Sequence, residues 1–365
     1  MLLKQWGYYR EQVEIYPALL GKINPEIDCN LYDYLGHAYF SLGQAQKALE
    51  TYQQQLNLAQ QIQSPYFEAI ALHGLGITCG YLGREKQAID YHQEELEIAN
   101  FLNNPILITQ ALRGLGISYG NNFNYQKGIF YLKQALTLAK QQKDSDLFNL
   151  ISIHLGEYLI YYGKIESGSD YLESALTFFE QNNGHYEVCH ILQSYSSALF
   201  LQNKPEKSWL YLSKALEISN QEKYYPLLEV ILNNIGIQQA YFYKKYDTAI
   251  ISFQNCYLYC ETAKNQRKMS IILSNISYCY GCLKQTTKAT RYAKKAIAFA
   301  RKSQNKEAEA VGLAVLGSAY WHSDKRILGI LLALRAATML PPWRSANGKL
   351  IVKKTIDKVF GFLKR

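Results

Sequence analysis

Proline and long uncharged apolar runs are both scarce in this sequence. The 365 residues include 8 prolines, and an interior proline would remove a backbone donor and clash with the preceding helical turn. The shortage favours long, uninterrupted helices. The most apolar stretch, Ile327 to Leu334, is far shorter than the roughly 18 residues that a membrane-spanning helix needs. The N-terminus lacks the apolar run and cleavage site of a secretory signal, so we expect a cytoplasmic location.

Motifs for catalysis are lacking as well. The seven histidines are scattered, and none forms a metalloprotease pair or a Cys–His nucleophile signature. The Gly-x-Gly segments that begin at Gly74 and Gly114 lie inside helical patterns and follow no strand, which excludes a dinucleotide-binding fingerprint. We interpret Glu94 and Glu95 as a solvated helix face. The sequence therefore predicts a protein that is not an enzyme, with no catalytic residue, no metal and no cofactor.

Charge is moderate overall but unevenly distributed. The net charge is +9, and the segment from Lys264 to Arg365 holds 21 basic residues against 4 acidic ones. The rest of the chain is net acidic. Such an asymmetry indicates that the two parts of the chain meet different surroundings.

The sequence is rich in internal repetition. An apolar or aromatic residue followed by a small residue recurs every 40 residues, with one interval of 41. The eight copies are Leu35-Gly36, Leu75-Gly76, Leu115-Gly116, Leu155-Gly156, Tyr195-Ser196, Ile235-Gly236, Ile276-Ser277 and Leu316-Gly317. A second series of small residues follows each copy: Ala48, Ala88, Gly128, Gly168, Ser208, Ala249, Ala289 and Gly329. Small residues in both series let paired helices approach closely, and stacked neighbours build the core.

Each repeat is predicted to fold as two antiparallel helices. Apolar and small residues recur at three- and four-residue steps, as in Pro65 to Leu82. Ser64 and Asn104 each precede a proline at the first helical position, where a capping side chain is expected. The tight turn between the two helices calls for a positive φ, which glycine adopts at least cost. Glycines are found there at Gly43, Gly83 and Gly163.

The repeat resembles the tetratricopeptide repeat. The family pattern combines an aromatic residue, Leu-Gly and Tyr with a later Ala and a second aromatic residue. It is reproduced in full by Tyr32, Leu35, Gly36, Tyr39, Ala48 and Tyr52. The period of 40 exceeds the usual ~34, so the chain is more similar to the long-helix variety found in kinesin light chains and in bacterial signalling proteins. The resemblance implies an all-α, right-handed α-solenoid of about eight helix pairs with a C-terminal amphipathic helix.

Three segments are expected along the chain. Residues 1–25 form an N-terminal capping helix, residues 26–340 form eight tandem repeats, and residues 341–365 form a basic amphipathic C-terminal helix. Just before that last segment, Ile327 to Leu334 is apolar all round, which implies burial on both sides. The basic face of the C-terminal helix carries Lys353, Lys354 and Lys358. Two interpretations of this helix stay open: it caps the last repeat, or it lies on an anionic membrane or docks a partner.

The seven cysteines are irregularly spaced, which excludes a small disulfide-stapled fold. Cys256 and Cys260 share a helical face, and Cys279 and Cys282 have ligand-like spacing. However, Cys256 occupies a slot that holds alanine in other repeats, and antiparallel helices would place Cys282 roughly 10 Å from its level. We predict packing of small core residues here rather than zinc.

In the tetratricopeptide family the first helix of each repeat lines a concave groove, and the resemblance implies the same here. Positions three before and one after each small slot would face that groove. The residues expected to bind a partner are Asp33, His37, His73, Arg113, Glu157, Gln193, Asn233, Asn234, Asn275 and Tyr278. Asn234 and Asn275 match asparagines that grip peptide backbone in long-helix relatives. Aromatic residues such as Tyr81 and Tyr241 would either offer flat contacts to a ligand or fill helix–helix contacts.

We therefore expect a protein–protein interaction scaffold or adaptor that binds a peptide or helical segment of a partner in the groove. Two alternatives use the basic C-terminal third: a membrane-surface-associated assembly factor and an RNA-binding solenoid. Their candidate contacts in the repeats are Lys294, Lys295, Arg301 and Lys302. A base-reading code needs similar polar residues at one slot of every repeat. The residues at the equivalent position of the eight repeats, from Asp33 in the first to Ala314 in the last, form no such series. We therefore rank nucleic acid below protein ligands.

Overall fold

The computed structural model describes residues 2–222, 225–262, 265–303, 305–321, 323 and 325–339. Within these residues the regular structure consists of 17 α-helices and one short 3-10 helix, without strands. The chain divides into two compact units between Phe178 and Phe179. The predicted all-α fold of helix pairs is confirmed.

The helices have closely similar lengths. In the first unit they are α1 Leu2–Ile15, α2 Pro25–Ser41, α3 Ala45–Gln61, α4 Pro65–Tyr81, α5 Glu85–Phe101, α6 Pro105–Asn121, α7 Tyr125–Gln142, α8 Ser145–Tyr162 and α9 Ile165–Gln181, which ends just beyond the unit boundary. In the second unit they are α10 His185–Leu201, α11 Pro205–Glu222, α12 Tyr225–Tyr241, α13 Tyr246–Thr262, α14 Gln266–Cys282, α15 Thr286–Lys302, α16 Lys306–Trp321 and α17 Arg326–Met339.

Each first helix packs against its own second helix and also against its neighbours. In the first unit α2 pairs with α3, and α2 also contacts α4, the first helix of the next pair. In the second unit α14 pairs with α15 and contacts α16 in the same way. The second helices α3 and α15 each contact the first helix that follows them. Because one pair cannot bury its apolar face alone, the neighbouring pair completes its core.

Local sequence sets most of the helix ends. The side-chain oxygens of Asn24 and Asn104 accept hydrogen bonds from the backbone N–H of Ile27 at 2.8 Å and of Leu107 at 3.2 Å. Ser64 makes no such bond at the start of α4, so its predicted capping role is wrong. The turn glycines have the positive φ that was predicted, with values of 74°, 75° and 100° at Gly43, Gly83 and Gly163.

In the first unit a ring from a second helix fits between two successive first helices. Tyr52 of α3 lies against Gly36 of α2 and Gly74 of α4, and a Cβ at Gly36 would come within 2.7 Å of the ring. His92 of α5 occupies the equivalent position between α4 and α6, where a Cβ at Gly76 would come within 2.5 Å of its ring. Each Gly-x-Gly segment is therefore a packing site. The first glycine of each segment receives the ring of the preceding repeat, and the second receives a side chain of its own repeat, His92 at Gly76 and Leu132 at Gly116.

In the second unit hydroxyl groups replace some of these glycines. Ser208 Oγ donates to the backbone oxygen of Ser196 at 2.7 Å, and Gln238 Nε2 donates to Ser208 Oγ at 2.6 Å. All three side chains are buried. A small residue therefore keeps the helices close, and its hydroxyl is satisfied by a partner from the next first helix.

The last described helix, α17, has one uncovered apolar face. Ile327 and Leu331 are 77% and 56% exposed, whereas Ala333 and Ala336 are buried. We expected the segment from Ile327 to Leu334 to be buried on both sides. Among the described residues it is buried on one side and exposed on the other. The predicted C-terminal helix, with Lys353, Lys354 and Lys358, lies outside them. None of the described helices is long and apolar enough to cross a membrane.

Candidate ligand-binding faces of the two units

The predicted groove residues all lie on first helices, in different environments. Asp33 and His37 lie on α2, His73 on α4, Arg113 on α6 and Glu157 on α8 of the first unit. Of these His37 is exposed and the other four are half-buried. In the second unit Gln193 lies on α10, Asn233 and Asn234 on α12, and Asn275 and Tyr278 on α14. Gln193 and Asn275 are buried, whereas Asn233, Asn234 and Tyr278 are half-buried.

A buried carboxylate organises the face of the first unit. Both oxygens of Glu95 are engaged: Oε1 lies 2.9 Å from His73 Nδ1 and Oε2 lies 2.8 Å from His92 Nδ1. Glu95 and His92 come from α5, and His73 comes from α4. Arg113 of α6 interacts electrostatically with the same carboxylate. We call these four residues the Glu95 cluster.

The electrostatics of the Glu95 cluster fix its charge state. Burial alone would raise the pKa of Glu95, but His73 and His92 outweigh burial and the pKa lies below its usual value, so the carboxyl is ionised. Burial lowers the pKa of His92 although Glu95 opposes this, so that imidazole is neutral at pH 7. Burial also lowers the pKa of Arg113, against the pull of Glu95. The cluster therefore pairs the negative charge of Glu95 with the positive charge of Arg113, beside the neutral ring of His92.

Two charged side chains, Arg113 within this cluster and Asp33 on α2, have polar atoms without a hydrogen-bond partner. Arg113 Nε is buried and unpaired. Among the described residues the carboxylate of Asp33 also has no hydrogen-bond donor. Burial raises the pKa of Asp33, and the influence of His37 and His73 in the opposite direction is smaller. Buried charges are normally paired, so these two side chains mark an incomplete site.

The sequence interpretation missed two members of the Glu95 cluster. Glu94 is exposed as expected, but Glu95 is fully buried, so its assignment to a solvated face is wrong. A signal was available, because Glu95 precedes Ala135 by one repeat and Ala135 marks a small, buried slot. His92 likewise occupies the slot that Leu132 fills one repeat later.

Three members of the Glu95 cluster are close enough to hold one metal ion. The ligand atoms of His73, His92 and Glu95 lie within 4.8 Å of one another. However, both imidazole Nδ1 atoms are already hydrogen-bonded to Glu95, and Arg113 brings a positive charge to the same carboxylate. A second cation there would meet repulsion. The arrangement suits a satisfied polar network better than a metal centre.

In the second unit, amide groups bridge neighbouring first helices. Asn275 Nδ2 of α14 donates to Asn233 Oδ1 of α12 at 3.2 Å. Asn234 Nδ2 of α12 donates to Ser197 Oγ of α10 at 3.3 Å, and Gln193 Nε2 donates to the same oxygen at 3.2 Å. The predicted amides are therefore brought together, and each can still offer a further donor or acceptor to a ligand.

The aromatic residues of the second unit contact one another. The rings of Tyr241 and Tyr278 are stacked with their centroids 4.9 Å apart and their planes 7° from parallel. Tyr241 is buried and Tyr278 is half-buried. Tyr278 thus adds the edge of an aromatic ring to the surface that carries the amides, whereas Tyr241 packs between helices.

The predicted basic residues form one solvent-facing side of α15. Lys294, Lys295, Arg301 and Lys302 are exposed, and α15 contains no acidic residue. Arg301 Nε is 2.8 Å from Glu309 Oε1, so that side chain is already paired. The lysines supply most of the available positive charge.

The four cysteines tested as a metal site form two pairs: Cys256 is hydrogen-bonded to Cys260, and Cys279 interacts with Cys282. Cys256 Sγ donates to the backbone oxygen of Glu229, while the Glu229 carboxylate is 2.9 Å from Lys268 Nζ. Cys282 instead interacts with the tyrosine hydroxyls of Tyr246 and Tyr278. Cys256, Cys260 and Cys279 are buried as small core side chains.

Comparisons with known proteins agree with this architecture. A model of the tetratricopeptide repeat family matches residues 27–100. A search of curated proteins finds no match. Among solved structures, a Rap protein complexed with Competence and Sporulation Factor is 12% identical with a TM-score of 0.65, and 80% of each chain is covered. The quorum sensor NprR in complex with its cognate peptide NprX is 14% identical with a TM-score of 0.58, covering 89% of this chain and 98% of that one.

A third similar structure carries the family name. It is a signal transduction ATPase with numerous domains, with a tetratricopeptide repeat sensor, from Pyrococcus horikoshii. It is 14% identical with a TM-score of 0.57, and the match covers 99% of this chain and 54% of that chain. This chain therefore spans about half the length of that relative. The repeat motif, the helix pairs and these matches together show a fold of the tetratricopeptide repeat type, and the family model itself matches residues 27–100.

Proposed function

We propose that this chain is an interaction scaffold or adaptor that binds a peptide or helical segment of a partner along its first helices. The observation that carries the proposal is the row of half-buried polar side chains at equivalent positions of successive first helices. Asp33, His73 and Arg113 form that row in the first unit, and Asn233 belongs to it in the second. Because these side chains contribute little to the apolar core, contact with a ligand explains their presence better than stability does.

Two structural relatives support a peptide as the ligand. The Rap protein was solved with Competence and Sporulation Factor and NprR with its cognate peptide NprX. We extend peptide binding to this chain on the basis of the shared fold and the polar row. Tetratricopeptide folds are typically non-catalytic, and we propose no reaction for this protein. We further propose that residues 26–340 form the repeats and that residues 1–25 and 341–365 form the end segments.

A selection from a random peptide library tests this function. The full chain is immobilised, and enriched peptides are synthesised and their affinity measured by fluorescence anisotropy. We expect peptides whose binding weakens at least tenfold in Asn233→Ala or Asn234→Ala, because side-chain amides that hold backbone groups are lost. Asn255→Ala is the matched control, since Asn255 is exposed on the second helix α13. A library that yields no specific binder, or binders indifferent to substitutions of the polar first-helix residues in both units, would contradict the proposal.

A second candidate function rests on the basic side of α15. An exposed face with lysines and no carboxylate favours phosphate-rich partners, either RNA or an anionic membrane surface. Co-sedimentation with RNA and with phosphatidylserine vesicles at two salt concentrations separates the two partners. Binding through α15 should fall in Lys294→Gln and Lys295→Gln and should weaken as salt rises. We rank it below the peptide scaffold because Arg301 is already paired.

A further inference from the structure

We propose that the first unit selects a peptide with two opposite charges, a basic group that binds Asp33 and an acidic group that binds Arg113. This inference rests on the proposed peptide-binding function and specifies its ligand. Asp33 and Arg113 occupy the same slot of α2 and α6, and His73 occupies that slot on α4 between them. The order of the three helices therefore fixes the order of the charges along the ligand.

The Asp33 end calls for a cation. The carboxylate is half-buried and lacks a hydrogen-bond donor among the described residues. The neighbouring imidazoles of His37 and His73 favour its ionised form, and burial outweighs them, so the pKa of Asp33 is raised. An ammonium or guanidinium group of a ligand would supply the missing donors and the missing charge. A peptide N-terminus, a lysine or an arginine has this chemistry.

The Arg113 end calls for a carboxylate. A guanidinium has five N–H donors, and Arg113 Nε is buried without a partner. Glu95 is the carboxylate that interacts with Arg113, but its two oxygens are taken by His73 and His92. The planar guanidinium thus retains donors in the fork geometry that binds a carboxylate through two parallel hydrogen bonds. The attraction of Glu95 also restrains Arg113, which lowers the entropic cost of binding a ligand.

The stretch between the two ends is partly apolar. Ile77, one position beyond the glycine slot of α4, is 40% exposed, and Ile117 of α6 is half-buried. Neighbouring packed helices lie about 9 Å apart, so two helix steps span about 18 Å. An extended peptide covers about 3.4 Å per residue, which places the two ligand charges about four to six residues apart. An aliphatic residue between them would contact Ile77.

A random 12-residue peptide display library, selected on the full chain, tests this inference. We expect enriched peptides to carry a basic and an acidic residue four to six positions apart. Selection on Asp33→Asn should lose the basic preference and keep the acidic one, and Arg113→Gln should give the reverse. The controls Asp90→Asn and Arg84→Gln alter exposed residues of the same unit and should leave the selected motif unchanged.

A second measurement does not depend on the folding of any variant. An enriched peptide is synthesised with its basic and acidic residues exchanged and is titrated against the unaltered chain. We expect at least a tenfold loss of affinity, because both charges then face like charges. Equal affinity for the two peptides, or an enriched motif without paired charges, would overturn this inference and leave the peptide scaffold standing. Failure to enrich any peptide would remove the proposed function and this inference together.

Discussion

At the scale of single residues, the most informative side chain is one that departs from the repeat. The slot of Glu95 holds alanine at positions 135, 175 and 215, yet here it holds a fully buried carboxylate. Burying a charge is costly unless it is paired and hydrogen-bonded. Two imidazoles and an arginine meet that requirement, and two of the four residues, Glu95 and His92, occupy slots that hold small or apolar residues in later repeats. A departure from the apolar pattern therefore marks a site where polar chemistry was selected.

The Glu95 cluster makes stability depend on pH. Burial lowers the pKa of His92 below its ordinary value of 6.5, so the unfolded chain takes up the proton first on acidification. The stabilising contribution is complete above that value and is lost as the pH falls toward the pKa of the folded state. The pKa of Glu95 is also lowered, from 4.5, so its contribution is present above 4.5 and is lost as the pH falls further. We expect Tm to fall between about pH 7.5 and 5.5.

Replacement of His92 by leucine tests the origin of that pH dependence. Leu132 fills the equivalent slot one repeat later, so leucine has a suitable shape there. In His92→Leu, Tm measured by circular dichroism should change less over the same pH interval than in the unaltered chain. The control His185→Gln concerns a histidine that is 58% exposed. A pH slope that His92→Leu leaves intact would assign the effect to other groups.

The serine pair of the second unit gives a further prediction at the residue scale. In Ser208→Ala, Gln238 Nε2 loses its 2.6 Å acceptor and Ser196 loses a donor, both in buried surroundings. The cost to the free energy of unfolding should be about 1–2 kcal/mol, measured by urea denaturation. Ser213→Ala, at an exposed position of the same helix, should change stability by less than about 0.5 kcal/mol. Equal effects of the two substitutions would contradict the buried network.

At the scale of helices, close approach decides which glycines can be replaced. A Cβ at Gly128 of α7 would stand 2.9 Å from the backbone oxygen of Gly116, whereas a Cβ at Gly281 of α14 would meet nothing within 4 Å. Backbone atoms cannot move aside as the end of a side chain can. Gly128→Ala should therefore cost about 1–3 kcal/mol through overpacking.

Gly281→Ala is the matched control for that substitution. It lies in a helix with open space around it, so alanine should be neutral or stabilise by up to about 1 kcal/mol through its better helix propensity. Thermal unfolding of both variants compares them directly. Similar effects at the two positions would show that interhelical distance does not govern the glycine slots.

At the scale of the whole molecule, a repeat fold makes stability a local property. Within each unit, neighbouring helix pairs pack against one another, so a disturbance weakens the repeats around it first. Hydrogen exchange followed by mass spectrometry should reveal faster exchange in α6 and α7 of Gly128→Ala, with α14 and α15 little changed. Uniform loss of protection in all four helices would mean that the molecule unfolds as one cooperative body.

The recurrence of small residues was enough to predict the helix pairs. Few folds other than stacked helix pairs are compatible with a 40-residue period that has glycine or serine at fixed places. Turn glycines such as Gly43 were equally predictable, since a positive φ is a local requirement. The repeat spacing also predicted that Asp33, His73 and Arg113 occupy equivalent positions, and they do lie on consecutive first helices. These features depend on residues near one another in sequence, or on a strict repeat of such residues.

Tertiary structure alone decided the partners of these side chains. Glu95 meets His73 from 22 positions earlier, and Asn275 meets Asn233 from 42 positions earlier. Such contacts depend on how far neighbouring helices are rotated and how closely they approach, which a one-dimensional pattern does not encode. The same geometry left Arg113 Nε without a partner while it buried Gln193. The periodic arrangement follows from local chemistry, whereas the charges available to a ligand depend on the packing of three adjacent helices.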